Sequence, residues 1–480
     1  MNEQPTSLKQ QTKKGLYWSA LGNFANQGMR FAFGIILARL LSPDAYGVIG
    51  MLSIFMCLVS VFIDCGFSQA LVVKSDRTQK DFSTEFWFNI GVGLVGYLLL
   101  FVSSPYIADF YNMPILSPVL KVIGIGIVVN SLCVVQSAQF TIRLDFKTPV
   151  KIGVITQILT GIIGIILAYF GWGVWALVFQ QVLGSVLSAI LLWIAAGWRP
   201  TCEFSTTSFR YLWSYGSRFL GTSLVSMLFD NIQPLIIGKI FSAQTLGLYS
   251  RAQGFATLPS SNLSGVLGRV TFPILAKVNG DIDKLSSIYR RMMKVVGFIV
   301  FPLMVGLSAT SRPVVELLLN SQWYGCIILL KILCFALMFQ PISYVNISLL
   351  EAAKRPDIMF KLELIKKPLG LLILLLSSYF GIVSFSLGYL FVCVFSVLMN
   401  IYYTSKILQI SFWCQIKDLL PSLLLSFVMG GITYIITLFI QNNLLSLVVS
   451  VLLGAGFYIL FSYMFLREIM LEALSLLKKK

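Results

Sequence analysis

The chain contains no histidine, and charged residues make up only 11% of its 480 positions. Without histidine, a His-containing catalytic triad and a His-ligated zinc site are both excluded. Soluble domains carry about 25% charged residues, so the scarcity of charge also excludes an ordinary soluble enzyme. Acidic residues are especially few, 19 against 36 basic ones, which gives a net charge of +17.

Cysteine is present but lacks the spacing of a metal or redox site. None of the eight cysteines forms a C-x-x-C pair, and most lie inside apolar runs, where cysteine behaves as a small hydrophobic residue. We therefore expect no disulfide framework, no bound metal and no cofactor. The motif Gly91-x-Gly93-x-x-Gly96 matches a dinucleotide fingerprint, but it lies inside an apolar run without a preceding strand, which indicates close helix packing instead.

Long apolar runs dominate what is present. Hydrophobic residues make up 57% of the chain and the mean hydropathy is +0.85. A membrane-spanning helix needs about 20 mostly apolar residues, and on that basis the sequence predicts an all-α polytopic membrane protein with about 14 spans. The predicted spans lie near 16–38, 47–73, 86–108, 115–139, 150–170, 173–196, 211–238, 247–272, 292–311, 325–350, 362–380, 382–404, 418–440 and 444–466.

The basic residues are distributed unequally between the two membrane faces. With the N-terminus inside, the loops on the opposite face keep only Arg39, Lys121, Lys239 and Arg312. Cytoplasmic loops are enriched in Lys and Arg, so this asymmetry predicts that both termini are cytoplasmic. The same rule explains the net positive charge, and because no long basic run exists we expect no nucleic-acid partner.

A short segment of the chain is repeated. Leu37–Gly47 and Ile237–Gly247 share a basic residue, a Ser and a Gly at matching positions, each after an apolar helix. Internal repeats in membrane chains are typical of transporters, and halves with an even number of spans enter the membrane in the same direction. We predict an N-terminal six-helix lobe over 1–200, a C-terminal six-helix lobe over 201–405, and two additional helices with a cytoplasmic tail over 406–480.

A few charged residues remain within the predicted spans. Each costs about 2.5–3.5 kcal/mol at the bilayer centre, so we expect them to face water or one another. In the first span, polar residues recur at helical spacing and share one face with Arg30. The predicted substrate-binding residues are Asn23, Asn26, Gln27, Arg30, Arg218, Arg251 and Lys331.

Alternative roles exist for several of these charges. Arg251 and Lys331 lie near span ends and could extend their charged groups to the interface. Asp64 could pair with Arg30 or bind an ion or proton, and Asp230 is assigned the same two alternatives, ion coupling or structural charge partner. A site with more Arg and Lys than acid favours an anionic ligand, because the planar guanidinium matches phosphate oxygens.

The chain resembles the polysaccharide-biosynthesis flippases of the multidrug/oligosaccharidyl-lipid/polysaccharide superfamily, most closely the Wzx-like branch. The resemblance rests on Leu37–Gly47, on Asp64–Ala70 after the second span and on Arg143–Lys147 after the fourth. It covers essentially the whole chain. It implies a non-enzymatic transporter of the bacterial cytoplasmic (inner) membrane that moves an undecaprenyl-diphosphate-linked oligosaccharide to the outer leaflet by alternating access. It also implies a lipid-linked anionic oligosaccharide, membrane lipids and glycan-assembly proteins as partners.

Three other functions remain open at this stage. An ion-coupled small-molecule exporter of the same superfamily would need a site dominated by acids. A membrane glycan polymerase or ligase would need a large outer loop, whereas every predicted outer loop is short. A scaffold for a glycan-assembly complex has no distinguishing sequence feature.

Overall fold

The computed structural model describes residues 8–278 and 280–478, and every regular element in these ranges is helical. The helices are α1 Leu8–Leu40, α2 Pro43–Asp64, α3 Phe67–Val73, α4 Gln79–Tyr111, α5 Leu116–Ser131, α6 Val134–Ile142, α7 Lys147–Tyr169, α8 Val174–Ala196, α9 Thr206–Asp230, α10 Ile232–Ile240, α11 Ala243–Lys277, α12 Ile282–Ala309, α13 Ser311–Leu318, α14 Cys326–Leu337, α15 Gln340–Ala352, α16 Pro356–Ser378, α17 Ile382–Leu408, α18 Phe412–Phe439, α19 Asn443–Phe465 and α20 Arg467–Lys478. A short 3₁₀ turn, Ser321–Trp323, precedes α14.

Every predicted span falls on one helix or on two consecutive helices. Within the described residues, 11 helical segments are long and apolar enough to cross a membrane. The chain is therefore a multi-pass membrane protein, and the predicted fold class is confirmed. The other three predicted spans correspond to α1, α11 and α16, which are helical but more polar. The count of 14 crossings stays a prediction.

Four of the predicted spans are interrupted, which the hydropathy pattern did not indicate. The α2–α3 break has a clear cause in the backbone, because Cys65 (φ 40°) and Gly66 (φ 70°) both adopt left-handed conformations. The break redirects the chain before Ser68 and Gln69. The other interruptions separate α5 from α6, α9 from α10 and α14 from α15. Breaks within a span leave backbone groups without helical partners, and such breaks are tolerated where protein or a cavity surrounds them.

Helix α4 begins well before the predicted span at 86–108. Thr78 and Asp81 form a reciprocal capping box, in which the Thr78 amide donates to Asp81 Oδ2 over 2.7 Å. A capping box satisfies two of the free donors at a helix start and so fixes the first turn. The earlier start places both Asp81 and Glu85 inside the helix, where the two side chains are almost fully buried.

The contacts divide the chain into two compact units, residues 1–247 and residues 248–480. In the first unit α1 packs on α7, α7 on α8 and α4 on α5, and the α2–α3 arm contacts α4 and α9. In the second unit α12 packs along α18, α14 and α16 pack on α17, and α18 packs on α19. The division at residues 200 and 405 concerns the internal repeat and stays a prediction.

The two copies of the repeated segment lie against each other in the first unit. A Cβ atom placed on Gly47 would overlap the backbone carbonyl of Ala243, and one on Gly247 would overlap that of Pro43. The glycines at the same position of each copy therefore let the starts of α2 and α11 cross in reciprocal backbone contact. Small residues at such crossings allow helices to approach closely in membranes. The repeat is a structural corner, as its sequence indicates.

A buried polar cluster joins four helices of the second unit. The hydroxyl of Tyr289 on α12 lies 2.8 Å from Asn346 Oδ1 on α15 and 2.7 Å from Gln415 Oε1 on α18. The next residue, Arg290, donates two hydrogen bonds, of 2.6 and 2.9 Å, to Asp418 on α18, whose side chain is only 6% exposed. Lys294 lies 3.3 Å from the same carboxylate. This cluster attaches α18, the first of the two C-terminal spans, to α12.

The substitution Asp418→Asn is expected to destabilise the protein. It leaves Arg290 and Lys294 without their shared counter-ion and removes charge-assisted hydrogen bonds worth about 1.5–3 kcal/mol. The measurement is the thermal unfolding midpoint of the purified protein in detergent, which should fall. Asp357→Asn is the matched control, since Arg355 also donates two hydrogen bonds to Asp357 but both side chains are about half exposed. Equal midpoints for both variants would contradict a stabilising role for the buried cluster.

Candidate functional site

Arg30 lies at a polar cavity of about 540 Å³ enclosed by α1, α2, α5, α7 and α8 of the first unit. The side chain is exposed within this region and forms no ion pair with any described acid. No acidic residue lines the cavity. The polar residues that line it are Asn26, Arg30, Tyr46, Asn130, Thr156, Gln157, Thr160, Gln180, Gln181, Ser185 and Ser188.

The helical spacing of these polar residues explains why they converge. Asn26 lies one turn before Arg30 on α1, so both side chains share a face. Helix α7 contributes Thr156, Gln157 and Thr160, and α8 contributes residues from Gln180 to Ser188 at intervals of one turn. The cavity thus combines one guanidinium with five side-chain amides.

A second cavity of about 830 Å³ adjoins the first. It is enclosed by α2, α3, α5, α6, α8 and α9, and it shares Asn130 and Ser188 with the Arg30 cavity. Its only acid is Asp64, at the end of α2. The α2–α3 break directs Ser68 and Gln69 to the same wall. We call the two spaces together the joined cavities, and they are lined almost entirely by neutral polar and apolar side chains.

No ion pair joins Arg30 and Asp64 among the described residues, so Arg30 is not neutralised by the acid that the sequence offered as its partner. Asp64 instead lies beside Gln69 in the second cavity. The guanidinium of Arg30 lines the first cavity, and the carboxyl group of Asp64 lines the second. A guanidinium is a hydrogen-bond donor suited to anions, whereas a carboxyl group offers acceptor oxygens, so the two cavities differ in the polar groups that they present.

The other predicted site residues lie elsewhere. Gln27 is half buried and does not line the joined cavities, and Asp230 is exposed at the end of α9. In the second unit, the Arg251 guanidinium lies 5.5 Å from the Trp323 ring centre, and Lys331 Nζ lies 4.8 Å from that of Tyr434. Both cations thus contact aromatic rings, which is a stabilising arrangement by itself. The side chains of Asn23 and Arg218 fall outside the described part of the chain.

The segment Arg143–Lys147 forms a corner between α6 and α7. Arg143 donates to Gln139 Oε1 and to the carbonyl of Ala196 at the end of α8, and Leu144 adopts a left-handed conformation at φ 55°. Asp145 accepts from the amide of Thr148 over 3.1 Å, which caps α7. This segment positions helices and does not line the joined cavities.

A family profile described as "polysaccharide biosynthesis protein" matches residues 36–328, well over half of the chain. The chain belongs to this family. The assignment made from the sequence motifs is confirmed. The matched region contains most of the first unit, including the residues that enclose the second cavity.

Two relatives align with this chain over most of its length. It is 26% identical to the lipopolysaccharide biosynthesis protein WzxC of Escherichia coli (strain K12) over 442 residues, 88% of each chain. It is 24% identical to the teichuronic acid biosynthesis protein TuaB of Bacillus subtilis (strain 168) over 465 residues, 94% of this chain and 95% of TuaB.

Two solved structures of other proteins share the fold of this chain. The lipid II flippase MurJ in an inward closed conformation superposes with a TM-score of 0.79 at 18% identity, covering 95% of this chain and all of MurJ. An inward-facing multidrug-resistance MATE transporter of the MOP superfamily superposes with a TM-score of 0.65 at 13% identity, covering 80% of this chain and 94% of that one. At these identities the likeness concerns the fold.

Sequence reasoning missed the contributions of α7 and α8 to the cavity of this family member. The site residues predicted from the sequence are mostly charged residues within spans, whereas α7 and α8 contribute amides and hydroxyls. The signal was present: Gln180, Gln181, Ser185 and Ser188 follow the spacing of one helix face within an otherwise apolar span. Neutral amides in a span indicate a polar surface as clearly as charges do.

Proposed function

We propose that this chain is a flippase, not an enzyme, that moves an undecaprenyl-diphosphate-linked oligosaccharide across the cytoplasmic membrane by alternating access. The observation that carries the proposal is the joined cavities, in which an unneutralised Arg30 stands among side-chain amides. The printed names of the relatives, WzxC and TuaB, concern lipopolysaccharide and teichuronic acid synthesis, and both support a glycan substrate.

The chemistry of the lining fits a phosphate followed by sugars. A guanidinium donates two parallel hydrogen bonds to phosphate oxygens and stays charged away from water. Sugar hydroxyls both donate and accept, and so do the amides of Asn26, Gln157 and Gln180. The volumes, about 540 and 830 Å³, fall within the range of small-molecule sites.

The same lining weighs against the rival functions. An exporter of cationic compounds needs acids in the cavity, and the joined cavities hold one acid, Asp64, beside one arginine. A glycan polymerase or ligase needs groups that activate a hydroxyl, and the described lining offers amides, hydroxyls and one guanidinium. A scaffold needs no polar cavity at all.

The proposal also covers the membrane orientation, the lobe boundaries and the partners. Both termini are cytoplasmic in the inner membrane, and the six-helix lobes end near residues 200 and 405. The partners are the lipid-linked anionic oligosaccharide, membrane lipids and glycan-assembly proteins. The distribution of cations and the repeated segment support these assignments.

Reconstitution tests the proposed activity directly. The purified full chain is placed in vesicles that contain an undecaprenyl-diphosphate carrying a short fluorescent oligosaccharide, and a membrane-impermeant glycosidase is added outside. We expect the protected inner pool to become cleavable only in vesicles that contain the protein. Transport of a cationic dye without movement of the lipid-linked probe would contradict the proposal and favour the exporter. A change in the length of the oligosaccharide would favour the polymerase.

A further inference from the structure

Glu85 is a completely buried acid with no basic partner. It lies in the second turn of α4, none of its surface is exposed, and no described cation forms an ion pair with it. The Ser68 hydroxyl donates a hydrogen bond to Oε1 over 3.0 Å, and the side chain of Asn89 lies beside the same carboxyl group. A buried carboxylate without a counter-ion is costly, so the neutral, protonated form is favoured in this conformation.

Three buried amides with unsatisfied atoms lie on α3, α4 and α6, which pack against one another near Glu85. Asn89, one helical turn further on α4, is fully buried and neither its nitrogen nor its oxygen makes a hydrogen bond. Gln136 has the same property on α6, which packs against α3 and α4. The side-chain oxygen of Gln69 is also buried without a partner. Buried polar atoms normally find partners, so this group of exceptions calls for a functional explanation.

Ser68 connects the buried acid to open space. Its side chain lines the second cavity beside Asp64 and Gln69, and the same hydroxyl contacts Glu85 on the other side. One hydroxyl thus lies between the buried carboxyl group and the cavity. The α2–α3 break is what brings Ser68 to this position.

The charged and titratable groups on the helices around Glu85 are either committed to other partners or lie at a distance. Lys74 lies 2.8 Å from both oxygens of Asp81, one turn before Glu85. Lys121 and Lys239 contact the far end of α4, near Phe101 and Phe110. The packed helices and their ends also carry Asp64, Cys65, Arg143, Arg210, Tyr211 and Tyr215, among other groups, and of these Asp64 acts electrostatically on Glu85. None of them provides Glu85 with an ion pair among the described residues.

We propose that Glu85 binds and releases a proton through Ser68, and that this exchange couples transport in the joined cavities to a proton gradient. This inference rests on the proposed flippase function. In this structure the Ser68 hydroxyl donates to Glu85 Oε1, so release begins when that hydroxyl turns to donate to a water molecule in the cavity and the carboxyl group donates to Ser68 Oγ. The O–H bond of the Glu85 carboxyl group then breaks with its electron pair left on the carboxylate, Ser68 Oγ takes that proton, and the original Ser68 proton passes to the water, which becomes hydronium. Rebinding reverses these transfers. Water must reach Ser68, so the exchange depends on whether the cavity is open.

A proton fits this position better than a metal cation. Sodium and similar ions need several free oxygen ligands around them. Glu85 Oε1 already accepts a hydrogen bond from Ser68, and Asp64, the acid that acts electrostatically on Glu85, lines the cavity instead of sharing a ligand set with it. A proton needs one acceptor and a route to water, and both are present.

Infrared spectroscopy of the purified full chain tests protonation without any substrate. We expect a carbonyl band of a protonated carboxylic acid that weakens as the pH rises and is absent from Glu85→Gln. The band should persist in Asp64→Asn, which removes the other acid of the second cavity, and in Glu203→Gln, which replaces an exposed glutamate. A spectrum that is the same for wild type and Glu85→Gln at every pH would overturn the proposal.

Vesicles that contain a pH-sensitive dye test the coupling. With the lipid-linked fluorescent probe present, we expect wild type to move protons across the vesicle membrane and Glu85→Gln to lose this proton movement. Ser68→Ala keeps the acid but interrupts the proton route, so we expect slower proton movement. Dependence on sodium at constant pH, without proton movement, would overturn the proposal. The infrared result does not depend on the lipid-linked probe. If the Glu85 band is absent but the probe is flipped normally, only the proposed role of Glu85 is refuted. If the Glu85 band is present but the probe is not flipped, only the proposed flippase function is refuted.

Discussion

Arg30→Ala should abolish or strongly reduce export of the glycan while leaving the protein in the membrane. The substitution removes the only cation among the described residues that line the joined cavities, and its charge-assisted hydrogen bonds to phosphate would be worth about 1.5–3 kcal/mol. That range corresponds to a loss of about 10- to 150-fold in affinity. The measurement is surface glycan in a strain that lacks the chromosomal copy, together with the probe assay in vesicles.

Two further variants make the role of Arg30 specific. Arg30→Lys keeps the charge but loses the planar fork of donors, so we expect partial activity between wild type and Arg30→Ala. Arg210→Ala removes an exposed arginine of the same unit that lines neither cavity, and it should export normally. Normal export by Arg30→Ala, at matched protein levels, would remove Arg30 from the substrate site.

Gly47→Ala is expected to prevent the first unit from folding correctly. The added methyl group would overlap the backbone carbonyl of Ala243, and a backbone atom cannot rotate away as a side chain can. Overpacking costs about 1–3 kcal/mol even where side chains can adjust, so we expect a loss at the upper end of this range or beyond it. Gly247→Ala should behave in the same way because the contact is reciprocal. The measurement is the yield of monodisperse protein and its thermal unfolding midpoint.

Gly91→Ala is the matched control for both glycines. It lies in a transmembrane helix as well, but no atom lies within 4 Å of the position that its Cβ would occupy. Alanine is favoured over glycine in helices by up to about 1 kcal/mol, so this variant should be neutral or slightly stabilising. Gly47→Ala with the stability of Gly91→Ala would show that the α2 and α11 starts do not meet as closely as the structure indicates.

The dinucleotide-like motif is a packing motif, as the sequence context indicates. Gly91 has open space, but a Cβ on Gly93 would press on Ser131 of α5, and one on Gly96 would press on Val59 of α2. The second and third glycines thus allow α4 to approach its two neighbours. Glycine spacing alone does not distinguish a phosphate-binding loop from a helix crossing, and the apolar surroundings made the distinction possible.

The sequence did not indicate that Glu85 is buried. The predicted span begins at residue 86 and therefore leaves Glu85 out. Hydropathy locates apolar runs and does not locate helix starts. The capping box at Thr78 and Asp81 begins α4 earlier and carries Glu85 into the interior. A Thr followed three residues later by Asp was the available signal.

The sequence by itself determined that this is a helical multi-pass membrane protein, where its apolar segments lie, to which family it belongs, and that Asn26 and Arg30 share a helix face. These properties are local, since they depend on runs of residues and on helical period. Only the tertiary structure decided that amides from α7 and α8 complete the Arg30 cavity, that Asp64 is not the partner of Arg30, and that Ser68 meets Glu85. These pairings join residues far apart in the chain, and the hydrophobic pattern that places each helix in the membrane does not specify which of its faces meets which neighbour.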